Sequence, residues 1–232
     1  MMLIYGIFIL HNFLGGDTMN KCLKIFFSSI LAGMLISIGG LINLSVRNVS
    51  VVAGGFLFAF GLFTIVTLKL HLFTGKVGYA LENKPNYILQ LLIILVGNAV
   101  GTISMGYLSR LMFTNTSSTI IDTVTSISSS KLSLPLLSTF ILSIFCGIMM
   151  FLAVEVSRRE VSDLVKVIAI FFAVAIFVIA GFEHCVANMY YFSFASMWSL
   201  KTLLYILIMI LGNSIGSLLI YVLIKLAEAK KN

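Results

Sequence analysis

The stretch GFEHCVAN, residues 181–188, sets a carboxylate (Glu183), an imidazole (His184) and an amide (Asn188) into a long apolar run. An ionisable side chain at membrane depth is expensive to bury and marks a functional position by default. Histidine titrates near about pH 6.5 when unperturbed, so it is the side chain best matched to sharing a proton with a weak acid. A second stretch, LKLHLFTGK (68–76), brings Lys69, His71, Thr74 and Gly75 into another apolar run. Polar residues of this kind interrupt a membrane helix. The backbone groups freed at such a break are tolerated only where they line a cavity. The free helix N-termini carry partial positive charge, which favours an anion.

The elements that must hold these residues follow from composition. The chain has 232 residues, 60% hydrophobic and 10% charged, with mean hydropathy +1.12. A soluble domain carries roughly 25% charged residues, so most of this surface must face lipid, and the length suits about six membrane helices. Spans are expected at about 22–45, 52–81, 87–113, 135–157, 162–191 and 198–226, separated by polar or turn-forming stretches that include the Ser/Thr-rich segment 114–133. Residues 1–19 read as a flexible or interfacial extension, 20–228 as one membrane domain and 229–232 as a tail.

Six spans put both termini on one side. Ten Lys and Arg fall on that side, against Arg47, Arg110, Lys131 and Lys201 on the other. By the positive-inside rule both termini are expected to be cytoplasmic, and the protein is expected to be a multi-pass protein of the cell inner (plasma) membrane. The same rule accounts for the net charge of +7 without nucleic acid as a partner.

VGNAVGT (96–102) and LGNSIGS (211–217) repeat a Gly-Asn-x-x-Gly seam in the third and sixth spans. Glycines four apart let helices pack closely. A duplicated unit of three spans must insert upside down relative to its twin. Proteins built that way place the substrate path near the bilayer midplane, on broken helices at the repeat interface. The two interrupted stretches lie in the middle spans of the two units, so they are the expected breaks.

Taken in order, LFTG (72–75), the two Gly-Asn-x-x-Gly seams and GFEHCVANMYY (181–191) resemble the formate/nitrite transporter family over residues 20–228. The resemblance implies an all-α, aquaporin-like fold of two inverted three-helix repeats with two broken helices. It implies a homopentamer with one pore per subunit, passing small monovalent anions such as formate, nitrite or hydrosulfide, passively or with a proton. His184 matches the central pore histidine, Thr74 the threonine beside it, and Lys131 the external lysine that draws anions in. Leu62, Leu72 and Phe177 look like the cytoplasmic constriction, and Phe58, Phe73 and Met150 like the external one. Gly147 departs from the family pattern, standing where many members carry a pore asparagine. Lys69 and His71 depart as well, flanking the first break where small or acidic residues are usual.

The neighbouring polar groups have plainer expected roles. Adjacent helical positions do not share a face, so Glu183 is expected to turn away from His184, orienting the break or neutralising a buried positive group. Asn188 is expected to satisfy backbone groups at the break. Lys69 and His71 are left without an assigned role, snorkelling and pairing with Glu183 both being open.

Other classes fit less well. Glu183, His184 and Cys185 lack the spacing of a metal or thiol enzyme site. The three histidines (His11, His71, His184) form no evident haem pair, so neither metal nor cofactor is expected. A neutral-solute pore of the aquaporin type lacks its Asn-Pro-Ala signatures, since neither Pro85 nor Pro135 follows an asparagine in a broken helix.

Overall fold

The computed structural model describes residues 16–115 and 118–229. Most of the expected extension, residues 1–15, and the tail at 230–232 lie outside the described residues. The described residues are all-helical: α1 (Gly16–Val46), α2 (Val51–Thr67), α3 (Phe73–Lys76) running into a 3-10 turn (Val77–Leu81), α4 (Tyr87–Phe113), α5 (Ser118–Ser133), α6 (Leu136–Arg158), α7 (Asp163–Ile179), α8 (Cys185–Phe194) and α9 (Leu200–Glu228). Serines 50, 162 and 199 cap α2, α7 and α9, each side chain accepting a backbone N–H of the first turn.

Among the described residues, four helices are long and apolar enough to cross a membrane: Met19–Val46, Tyr87–Phe113, Leu136–Arg158 and Leu200–Glu228. The second and fifth expected spans are instead each broken in two. Helices α2 and α7 stop after 17 residues, and the chain restarts as α3 and α8. Every residue of α8 is buried, so the second short helix forms the centre of the molecule. Large apolar side chains such as Phe27, Leu111 and Leu207 remain exposed on the long helices. That is the surface expected of a chain whose exterior contacts lipid or other apolar partners.

Segment 114–133 does not behave as the connecting stretch its composition implied. It contains α5, whose Ile120, Val124 and Ile127 form one stripe, with Val124 fully buried. The hydroxyls bond their own helix, Thr123 to the Thr119 carbonyl (2.8 Å) and Ser130 to the Ser126 carbonyl (2.9 Å). Serine and threonine satisfied this way no longer oppose helix formation.

Both breaks are stabilised by one device used twice. Asn98, in the first seam, accepts the Phe73 N–H (2.8 Å) and donates to the carbonyls of Ser29 (2.8 Å) and His71 (3.0 Å). Asn213, in the second seam, accepts the Cys185 N–H (2.9 Å) and donates to the carbonyls of Ser143 (2.8 Å) and Glu183 (2.9 Å). Each amide thus satisfies the first N–H of a restarted helix and a carbonyl beside the break, groups that are costly to leave unpaired in a buried place. This role was expected of Asn188. Its amide instead donates to the Glu183 carboxylate (2.5 Å) and to the Met209 sulfur (3.1 Å).

The seam glycines also match. A Cβ on Gly97 would meet the Ser29 Cβ at 2.6 Å, and one on Gly212 the Ser143 Cβ at 2.5 Å. The chain turns through the left-handed region at corresponding places, Lys69 (φ 55°) and Gly181 (φ 69°), each three residues before the N-cap of the restarted helix. Glycine is at ease there, whereas lysine is strained by roughly 1–2 kcal/mol.

Candidate functional site

His184 is the N-cap of α8. Its Nδ1 accepts the Ala187 N–H at 3.0 Å, and its Nε2 lies 3.0 Å from the Thr74 hydroxyl oxygen. Thr74 sits in α3, fully buried, and His184 is 2% exposed. The two restarted helices therefore present these side chains to each other at the centre of the bundle. The bond to Ala187 fixes the tautomer. A nitrogen that accepts from a backbone N–H carries no proton, so in the neutral ring the proton is on Nε2, which donates to Thr74. Sharing a proton through His184 needs a free lone pair on Nδ1. That lone pair is engaged in the cap, and a charged ring would also face the positive end of α8. The expectation that His184 carries a proton thus meets a specific obstacle, which nothing in the sequence revealed.

Two cavities flank this pair at opposite ends of α6, which spans about 35 Å at 1.5 Å per residue. One, of about 320 Å³, is lined by Arg47, Lys131, Phe177, Gly181, Glu183 and His184 among others. The second, of about 430 Å³, is lined by Leu62, Leu72, Lys69, Lys76 and Arg158 among others. Phe177 lines the first cavity and Leu62 and Leu72 the second, so the three residues expected at one constriction are divided between the two linings. Phe177 lies on the Lys131 side because it is two residues from the end of α7, next to the break. There its ring lies 5.7 Å from the His184 ring and meets Phe58 edge-on at 5.5 Å. Phe58, Phe73 and Met150 are buried and line neither cavity, filling the core between them.

Lys131 and Glu183 form an ion pair at 2.7 Å, with Glu183 only 1% exposed. Of the two roles expected for Glu183, neutralising a positive group is the one this geometry matches, although the carboxylate lines the cavity rather than turning away. It is not a partner of Lys69 or His71: the His71 Nδ1 bonds the Ser28 hydroxyl at 2.9 Å, and Lys69 lines the opposite cavity. Lys131 therefore brings little unbalanced charge, leaving Arg47 as the positive group of that cavity. Sequence reasoning missed Arg47 because it looks like any basic residue flanking a span.

Gly147 has a packing reason. An added Cβ would land on the Asn213 carbonyl oxygen, as one on Gly33 would land on that of Asn98. An asparagine cannot stand there while α6 and α9 pack this closely. Among the described residues no group of three or more His, Cys, Asp or Glu could hold a metal ion.

A family model described as formate/nitrite transporter matches residues 16–227. The chain is similar to a formate-nitrite transporter of Plasmodium falciparum, with 28% identity over 85% of this chain and 75% of the relative. It is similar to one of Plasmodium knowlesi, with 32% identity over 72% and 59%, and to one of Entamoeba histolytica, with 26% identity over 84% and 61%. Among solved structures it is similar to a pentameric formate channel with formate bound (TM-score 0.74, 24% identity, 89% of this chain and 98% of that one). It is also similar to an FNT family ion channel (TM-score 0.80, 22% identity, 92% and 93%).

Proposed function

Since the chain belongs to the formate/nitrite transporter family, and so is a transport protein and not an enzyme, we propose that it is a channel for small monovalent anions of weak acids, of the formate, nitrite or hydrosulfide kind. The observation that carries this reading is the Thr74–His184 hydrogen bond, set between two cavities that open toward opposite ends of α6.

In this reading α1–α4 and α6–α9 are inverted halves, each with two crossing helices and one broken pair. The matched bonds of Asn98 and Asn213 support that pairing. The Arg159–Glu228 ion pair brings the end of α9 to the Arg158 side. That basic side is the cytoplasmic one by the positive-inside rule, and the membrane is the plasma membrane. The assembly is a homopentamer, by analogy with the pentameric neighbour.

An anion entering from the Lys131 side would pass Phe177 and Phe58 and reach the centre. There the desolvation cost is offset by a hydrogen bond from the Thr74 hydroxyl, whose oxygen accepts the His184 Nε2–H, and by the N-terminal dipole of α8. It would leave past Leu62 and Leu72, an apolar ring that limits hydration. His184 acts as a fixed donor of a hydrogen bond. A proton accompanying the anion travels with it from solvent, because the ring's basic lone pair is committed to Ala187.

The test is a flux panel in proteoliposomes comparing formate, nitrite and hydrosulfide with chloride and glycerol. At least one of the three weak-acid species is expected to move down its gradient much faster than chloride and glycerol. Fast glycerol flux with none of the three moving would replace this reading by a neutral-solute pore.

A further inference from the structure

The cavity on the Arg158 side differs in charge from its counterpart. Its lining includes three cations, Lys69, Lys76 and Arg158, and no carboxylate. Among the described residues none of the three belongs to an ion pair. The nearby Glu155 carboxylate is already held by the Tyr79 hydroxyl (2.7 Å) and by Arg159 (2.6 Å). Arg158 stacks over the Tyr79 ring at 4.1 Å and also borders the adjacent cavity that contains Glu82. In the opposite cavity, Lys131 is balanced by Glu183 at 2.7 Å.

Lys69 supplies an independent observation. It occupies the left-handed position (φ 55°) whose counterpart in the other half is Gly181 (φ 69°). Both turns border the cavity of their own half. A side chain held at a backbone position suited to glycine points to a local function, and here it adds positive charge at a mouth.

We propose that this basic cavity binds a doubly charged phosphate group, and that the bound group blocks the passage instead of crossing it. The proposal rests on the channel reading above. Attraction to the three cations grows in proportion to an ion's charge. The cost of entering the apolar ring of Leu62 and Leu72 grows with the square of that charge. A monovalent anion therefore finds a shallow well and moves on, whereas a dianion finds a deeper well and a steeper wall. The cavity, at about 430 Å³, has room for a phosphate with part of its hydration.

The phosphate group could come from solution or from a phosphomonoester lipid headgroup, and the experiment separates the two. Labelled formate efflux is measured in neutral phosphatidylcholine vesicles with and without inorganic phosphate on both faces, and in vesicles containing phosphatidic acid, whose phosphomonoester can carry two charges, without phosphate. Each is repeated with Lys69→Gly, which removes the charge at a backbone position glycine adopts freely. The readout is the ratio of efflux with and without the phosphate source, which normalises each variant to itself. In parallel, phosphorus NMR line broadening reports binding of inorganic phosphate to the purified protein, independent of flux. The expected result is block by inorganic phosphate or by the anionic lipid, with the concentration needed for half block raised about fivefold by Lys69→Gly, the upper end for an exposed charge pair. Normal formate efflux with no block from either source, or with block unchanged in Lys69→Gly, overturns the proposal. If formate does not move but phosphate binds and is weakened by Lys69→Gly, the channel reading fails and the phosphate site stands.

Discussion

Replacing Lys131 with methionine tests whether that lysine is an anion collector or the counter-ion of a buried carboxylate. The perturbation leaves Glu183, 1% exposed, with the Asn188 amide at 2.5 Å as its side-chain partner among the described residues. Breaking a buried pair by removing one member costs roughly 3–5 kcal/mol, because the remaining charge is uncompensated. The Lys131 side chain is 15% exposed, so some solvent reaches the pair and the lower end, about 3 kcal/mol, applies. A chain of this size loses about 2–4 °C of melting temperature per kcal/mol, so thermal unfolding in detergent should fall by about 6–12 °C. Formate flux should fall as well, because the cavity is left with an unbalanced carboxylate. The double variant Lys131→Met with Glu183→Gln removes both charges and should recover most of the lost stability, leaving a positive coupling in the double-mutant cycle. A Lys131→Met protein as stable as wild type, with flux lost, would refute the ion-pair argument and return Lys131 to the role of an anion collector.

Two further outcomes follow from the packing. Asn98→Ala and Asn213→Ala should each destabilise the protein by at least about 2 kcal/mol and strongly reduce flux, since each strands a buried N–H at the start of a restarted helix. Thermal unfolding and flux measured together check this, and a stable, fully active variant would exclude it. Gly147→Asn should not restore a pore asparagine. It should lower stability markedly, because its Cβ meets the Asn213 carbonyl, and a well-folded variant with altered anion selectivity would show that α6 can move away.

Much of the site was legible because its residues stand out against lipid. Glu183, His184 and Thr74 interrupt apolar runs where charge and hydrogen-bonding groups are costly, and the repeated Gly-Asn-x-x-Gly seams announced a duplicated packing. What the asparagines do was not legible, since only the fold shows Asn98 and Asn213 reaching across to the breaks while Asn188 turns to Glu183. The side on which Phe177 lies depends on where α7 ends, a boundary that a continuous apolar run does not display. Helix α5 was hidden because serine and threonine favour loops unless their hydroxyls bond back along the helix, as Thr123 and Ser130 do. The tautomer of His184 depends on a backbone N–H three residues away, which no residue type encodes.

The most direct test of the central claim is the pH profile of formate flux in His184→Asn. Asparagine is itself a good N-cap, so it can accept the Ala187 N–H with its oxygen and offer its amide toward Thr74, while nothing at that position titrates. If His184 works as a neutral hydrogen-bond donor, the variant should conduct with a pH profile of unchanged shape. A variant that folds and conducts but has lost the pH dependence of the wild type would mean that His184 carries the proton, contradicting the mechanism proposed for this channel.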